Sequence, residues 1–75
     1  MNIQNFLHLE RERQGLSKKE IAERAGCSDT AISFWELGKR KIGFSYAESI
    51  LNALGYELVL REKLTGKEVQ EWTIR

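Results

Sequence analysis

Residues 17–36 divide into two short helical segments, and the boundary between them constrains the fold more than any other feature. Ser17 is followed by Glu20 at the spacing of a capping box, in which each side chain bonds the backbone amide of the other residue. Gly26 can adopt the left-handed conformation that ends a helix. Ser28, two residues later, can cap the next helix. The sequence therefore predicts two helices joined by a tight turn.

Helical periodicity continues on both sides of this pair, and then the pattern changes. Apolar spacing predicts a first helix over residues 2–14 and a fourth that starts at Gly43 or Ser45 and closes at Gly55. Beyond it, residues 56–61 and 69–74 are rich in β-forming side chains, with "LTGK" as a turn between them. We therefore predict a mainly α domain over residues 1–55. A β-hairpin over residues 56–75 follows. Because an isolated hairpin is hardly stable in water, it must pack on the helices or pair with a second copy, and we expect it to support a dimer.

The composition argues against several classes of function. The net charge is only +1, so a basic surface must come from the distribution of charge rather than its total. The single Cys27 and the single His8 have no partners at metal-binding or nucleophilic spacing, and the Glu residues mostly alternate with Lys or Arg. We expect no metal, no cofactor and no enzymatic activity. The chain has no signal-like N-terminus and no apolar run long enough for a membrane, so we expect a cytoplasmic protein.

The third helix has two different sides. On a helical wheel, Ala31, Ile32 and Trp35 form an apolar side that would face the core. Small polar groups occupy the opposite side, and cations precede and follow it in the chain. Such a helix, the second of a helix-turn-helix, could read base edges while the cations contact phosphates. The alternative is ordinary surface polarity and a solvated basic loop.

The stretch "GLSKKEIAERAGCSDTAISFWELGKRK" resembles the Cro/CI-type (XRE) helix-turn-helix family of bacterial and phage regulators, and the resemblance covers about residues 5–55. It departs from the family at Ile42, where Pro is frequent. The resemblance implies a lambda-repressor-like domain of four or five helices that binds double-stranded operator DNA as a homodimer. It also implies a salt bridge between Arg11 and Glu36.

The residues predicted to contact DNA combine the helical wheel with this resemblance. Asp29 has two interpretations, because a carboxylate in the first turn favours the helix dipole without any DNA but could also accept from a cytosine amine. Phe34 could contact a thymine methyl group or pack against its own protein. The full predicted set is Lys18, Lys19, Ser28, Asp29, Thr30, Ser33, Phe34, Lys39, Arg40 and Lys41.

The C-terminal part leaves two functions open. "ALGYELVL" is similar to HipB-like antitoxins, in which a strand after the last helix pairs across a dimer. One interpretation is a repressor at a palindromic operator. The other is an antitoxin that binds a protein toxin and regulates its own operon. Either protein would be bacterial or phage-encoded and nucleoid-associated. The residues predicted to contact a second copy or a partner are Tyr56, Leu58, Leu60, Trp72 and Ile74.

Overall fold

Four helices are followed by a short antiparallel hairpin, in the order predicted. The computed structural model describes residues 2–69. Its elements are α1 (Ile3–Arg13), α2 (Lys18–Ala25), α3 (Asp29–Glu36), α4 (Phe44–Ala53), β1 (Leu60–Arg61) and β2 (Glu68–Val69). The predicted fold class, mainly α with a C-terminal hairpin, is confirmed. None of the described helices is both long enough and apolar enough to cross a membrane.

Side-chain caps begin the first three helices where the sequence predicts them. Asn2 accepts a hydrogen bond from the Gln4 amide at 2.9 Å, at the start of α1. Both halves of the predicted capping box are formed between Ser17 and Glu20, each at 3.0 Å. Ser28 Oγ accepts from the Ala31 amide at 3.1 Å and begins α3. These local bonds satisfy amides that a helix N-terminus would otherwise leave unpaired, and so they fix where each helix begins.

A single small core joins all four helices. α2 packs on α3 and α4, and α1 packs on α3 and α4. Ile21 of α2 lies at the centre and is almost completely buried. The buried apolar residues that surround it are Leu7, Ala22, Ile32, Ile50, Leu51 and Leu54. Because every helix contributes to this core, the orientation of α3 is set by the whole domain.

A polar network ties the chain leaving α4 back to α1. Glu10 is buried and accepts hydrogen bonds from Arg13 Nε (2.8 Å), Gln14 Nε2 (2.9 Å) and the Tyr56 hydroxyl (2.8 Å). Gln14 also donates to the carbonyl oxygen of Leu54 at 2.8 Å. These donors, with Arg13 first, lower the pKa of Glu10 to about 2. The segment after α4 is therefore anchored to α1.

The first strand of the hairpin is shorter than predicted. β1 begins at Leu60 rather than at residue 56, and Leu60 lies opposite Val69 of β2. The Tyr56 amide donates to the carbonyl oxygen of Leu51 at 2.8 Å, while Leu58 packs against the helical core. These two contacts hold residues 56 and 58 against the helices. Gly66 has the positive φ expected of the turn, 71°. Residues 70–74 of the second predicted strand lie outside the described residues.

The apolar face of α4 is less completely buried than its periodicity predicts. Ala47, Ile50 and Leu51 are buried, but Phe44 is 58% exposed. Phe44 is the first residue of the helix and lies at the rim of an apolar groove, which it lines together with Ile3, Ile42, Ala47, Leu51 and Leu58.

Candidate nucleic-acid interface

The turn between α2 and α3 is closed by backbone geometry. Gly26 adopts a left-handed conformation with φ 75°, and the Cys27 amide donates to the carbonyl oxygen of Ala22 at 3.0 Å. Only Cys27 and Ser28 separate Gly26 from the start of α3. This short connection fixes the angle between α2 and α3. The result is a helix-turn-helix whose second helix, α3, has one side on the core and the other in solvent.

Ile32 and Trp35 form the inner side of α3 as predicted, whereas Ala31 is half-buried and is not among the residues packed on the core. Ile32 is buried against α2. Trp35 is half-buried, packs on the same core, and lies 5.2 Å from the ring of Tyr46 on α4, centroid to centroid. With this side held in place, the opposite side of the helix is presented as a surface.

The outer side of α3 carries the predicted reading residues. Asp29 and Thr30 are exposed in the first turn, while Ser33 and Phe34 are half-buried. The oxygen of Ser28 already accepts the capping bond from Ala31, so its free function toward DNA would be to donate. The outer side therefore offers a hydroxyl-rich surface whose side chains can donate or accept.

Unpaired cations lie before and after this surface in the chain. Lys39, Arg40 and Lys41 are all exposed, in the loop that follows α3. Lys19 is exposed and Lys18 half-buried, in the first turn of α2. Within residues 2–69, none of these five side chains forms a salt bridge with a carboxylate. Their charge is thus available to an external anion.

The end of α3 is tied to α1 by an ion pair. Arg11 Nε donates to Glu36 Oε2 at 2.6 Å and a second guanidinium nitrogen donates to Oε1 at 2.9 Å, the pair that the family resemblance implied. Arg11 also donates to the carbonyl oxygen of Leu16 at 2.7 Å. His8 Nδ1 lies 2.8 Å from Glu36 Oε1, and its Nε2 lies 3.1 Å from Glu12. Burial opposes ionisation of Glu36, but the bonds from Arg11 and His8 outweigh it and lower its pKa.

Sequence reasoning missed the residue that holds the basic loop. Gln4 of α1 donates through Nε2 to the carbonyl oxygens of Trp35 (2.7 Å) and Arg40 (3.1 Å), and its Oε1 accepts from the Ile42 amide (2.9 Å). One amide side chain thus bonds the last turn of α3 and, through Arg40 and Ile42, the later part of the loop before α4. No local signal marks Gln4, because its three partners are distant in the chain.

Phe34 has a contact that bears on its two interpretations. The Arg40 guanidinium carbon lies 4.7 Å from the centroid of the Phe34 ring, the geometry of a cation–π interaction. The ring of Phe34 is therefore engaged with a side chain of the loop that follows α3.

Comparison with known proteins agrees with this geometry. A family model described as helix-turn-helix, HTH_3, matches residues 7–60. The chain belongs to the XRE-type helix-turn-helix family. It is accordingly a DNA-binding transcriptional regulator.

A solved structure of another protein has the same fold as this chain. A point mutant of the restriction-modification controller protein C.Esp1396I aligns with a TM-score of 0.69 and 22% sequence identity, covering 72% of this chain and 70% of that one. No curated protein sequence matches the chain significantly. At this level of identity the likeness concerns the fold.

The residues predicted to contact a second copy or a partner differ in their contacts and exposure. In this XRE-type chain Tyr56 is engaged internally, through its bond to Glu10 and an edge-to-face contact with Phe6 at 5.7 Å. Leu58 is half-buried, and Leu60 is exposed. Trp72 and Ile74 lie outside the described residues.

Within residues 2–69, no group of three or more His, Cys, Asp or Glu side chains could hold a metal ion.

Proposed function

We propose that this protein is a sequence-specific repressor that binds a palindromic operator as a homodimer. The observation that carries the proposal is the exposed polar side of α3, with cations before and after it in the chain that form no salt bridge with any of residues 2–69. Phosphate contacts from such cations position a protein on DNA, and contacts to base edges from the helix between them specify the sequence.

In the proposed mechanism, residues of α3 contact the bases and the cations before and after it contact the phosphates. Thr30 and Ser33 reach base edges in the major groove, with Asp29 at the start of the helix able to accept from a cytosine amine. Lys18 and Lys19 contact the phosphate backbone beside α2, and the loop of residues 39–41 contacts it after α3. Binding then represses transcription by occluding a promoter.

A homodimer is proposed because of chain size and the properties of the hairpin. A chain of 75 residues buries a limited core, and association is a common source of additional stability. Leu60 and Val69 are paired opposite each other, and each is nearly half exposed. A second copy that covers residues 56–75 would bury these side chains. Half-sites would then lie about one helical turn of DNA apart.

An antitoxin remains the second candidate function. The observation that favours it is the apolar surface of the hairpin, where Leu64 is 97% exposed, in addition to Leu60 and Val69. An exposed apolar surface can bind another protein, so this one could serve a further partner as well as a second copy. In both functions we propose a cytoplasmic protein at the nucleoid, since both act on operator DNA.

The experiment that tests the repressor proposal is selection of bound DNA from a random pool at ~150 mM salt, about physiological ionic strength. We expect an inverted repeat with half-sites about 10 base pairs apart, centre to centre. The double variant Thr30→Ala with Ser33→Ala should remain folded and lose discrimination between this site and mutated sites.

The matched control for that variant is Ser45→Ala, which removes a hydroxyl from the exposed first turn of α4. It should select the same DNA as the wild type. Recovery of no common sequence would contradict the proposed function. Unchanged discrimination in the double variant would move the reading surface away from α3.

A further inference from the structure

The three cations of the loop after α3 are not equivalent. Arg40 has its guanidinium carbon 4.7 Å from the centre of the Phe34 ring, and no such ring contact exists for Lys39 or Lys41 within the described residues. The Phe34 ring is half-buried, and the helix that carries it is held on the core through Ile32 and Trp35. Arg40 is exposed and forms no salt bridge with any residue from 2 to 69. One cation of three is thus held in place while its charge stays unpaired.

The backbone of the loop is restrained on both sides of this contact. Gly38 has φ 72°, which reverses the chain after α3, and the Lys39 amide then donates to the carbonyl oxygen of Phe34 at 2.9 Å. On the other side, Gln4 donates to the carbonyl oxygen of Arg40 itself at 3.1 Å. Both the main chain and the side-chain head of Arg40 are therefore positioned by contacts within the domain.

We propose that Phe34 is a positioning residue, whose ring holds the Arg40 guanidinium ready to bind a DNA phosphate. The proposal rests on the proposed operator binding and deepens it by assigning the role of Phe34. An arginine that must be ordered on binding loses much side-chain rotamer freedom, whereas one already held by a ring loses less.

Arg40 can contact the Phe34 ring and a DNA phosphate at the same time. Stacking on an aromatic ring uses the face of a guanidinium, while forked bonding to a phosphate uses the N–H groups at its edge. Arg40 can therefore stay on Phe34 when it binds DNA. The other role of Phe34, direct contact with a thymine methyl group, requires the ring to be free for the base and is the competing outcome of the test.

The expected effect follows from the strength of exposed cation–π contacts, which corresponds to about a two- to fivefold change in an equilibrium constant. A dimer that uses both copies should lose about four- to 25-fold in operator affinity on Phe34→Leu. Phe34→Tyr keeps the aromatic ring and should restore most of the affinity. Phe34→Leu should leave the salt dependence unchanged, because no charge is removed, whereas Arg40→Gln should lower its slope by about two for the dimer.

A double-mutant cycle measured by fluorescence anisotropy on the selected operator tests the proposal. Phe34→Leu should cost its full factor in the wild type and in Lys41→Gln, but little in Arg40→Gln, where there is no guanidinium to position. In the free protein, the Arg40 side-chain proton resonances should be shifted by the ring current of residue 34. This shift should vanish in Phe34→Leu and persist in Phe34→Tyr.

Three results would overturn the inference. An equal loss from Phe34→Leu with and without Arg40 would mean that the ring acts on DNA directly or through folding, which thermal unfolding of each variant separates. Absence of the ring-current shift would mean that the contact is not populated. If the wild-type protein selects no DNA at all, the proposed function itself fails, and the positioning role fails with it.

Discussion

The ion pair between α1 and α3 gives the most quantitative prediction. Glu36, whose side chain is only 10% exposed beside Arg11, loses its two guanidinium bonds when Arg11 is replaced by Met, and His8 is then its close partner among residues 2–69. Removing one member of a buried pair costs about 3–5 kcal/mol, because the other charge is left without compensation. Since His8 remains, we expect a loss near the lower limit, about 3 kcal/mol.

Such a loss is a large share of the total stability. A chain of 75 residues has a free energy of unfolding on the order of 4–11 kcal/mol. In a domain of this size each kcal/mol shifts the melting temperature by about 4–8 °C, so Arg11→Met should melt roughly 12–24 °C below the wild type. Urea denaturation at pH 7 and thermal melting followed by circular dichroism measure both quantities.

The double variant Arg11→Met with Glu36→Met separates a stranded charge from lost packing. It removes both charges, so the loss should fall to about 1 kcal/mol, chiefly for the Leu16 carbonyl oxygen that loses its donor. The matched control is Arg24→Met, which removes an exposed arginine of α2 and should cost under about 0.5 kcal/mol.

The pH dependence of the single variant has a definite sign. In the wild type the pKa of Glu36 is lowered, so its stabilising contribution is present above its ordinary value of 4.5 and is lost on acidification. In Arg11→Met burial dominates and raises that pKa, so acidification should reduce the difference from the wild type. A single variant as stable as the double one, or a gap that widens in acid, would refute the stranded-charge argument.

Three further predictions concern other contacts. Because the pKa of Glu10 is lowered from 4.5 to about 2, its contribution to stability is lost as pH falls through that interval, and Glu10→Gln should flatten the pH dependence of urea unfolding there; an unchanged slope would contradict the network. Gln4→Met should cost about 1–2 kcal/mol and speed hydrogen exchange at the Ile42 amide, whereas unaltered exchange would mean that the loop is held otherwise. Leu60→Lys should weaken the proposed dimer in sedimentation velocity, with Leu9→Lys, at an exposed leucine of α1 outside the hairpin, as control; equal effects of the two would argue against β1 as the interface.

The features that could be predicted from local sequence are those determined within one turn of chain, whereas the pair of Arg11 and Glu36 followed from the family resemblance. The capping box of Ser17 and Glu20, the cap at Ser28 and the left-handed Gly26 involve residues that are neighbours in sequence. Because each is a local hydrogen bond or a local backbone preference, it could be predicted without knowledge of the fold.

The features that sequence did not predict depend on distant partners. Gln4 bonds residues that only the packed fold brings near α1. β1 starts late, after Tyr56, whose hydroxyl donates to the distant Glu10. The contact between Phe34 and Arg40 requires the chain reversal at Gly38. The residues that contact DNA remain predictions, supported by the exposure of the α3 surface.

The anchoring of residue 56 has a consequence for how the protein could respond to the spacing between operator half-sites. α1 bonds the segment after α4 through Glu10, and it bonds the end of α3 through Gln4 and Arg11. The same rigid helix therefore connects the start of the hairpin segment with the helix that would read the bases. In a dimer joined through residues 56–75, Tyr56 and Leu58 would hold the start of the joining segment on the domain that reads the bases. We therefore expect one base pair inserted between the half-sites to weaken binding, because it changes both the distance and the rotation between the two half-sites.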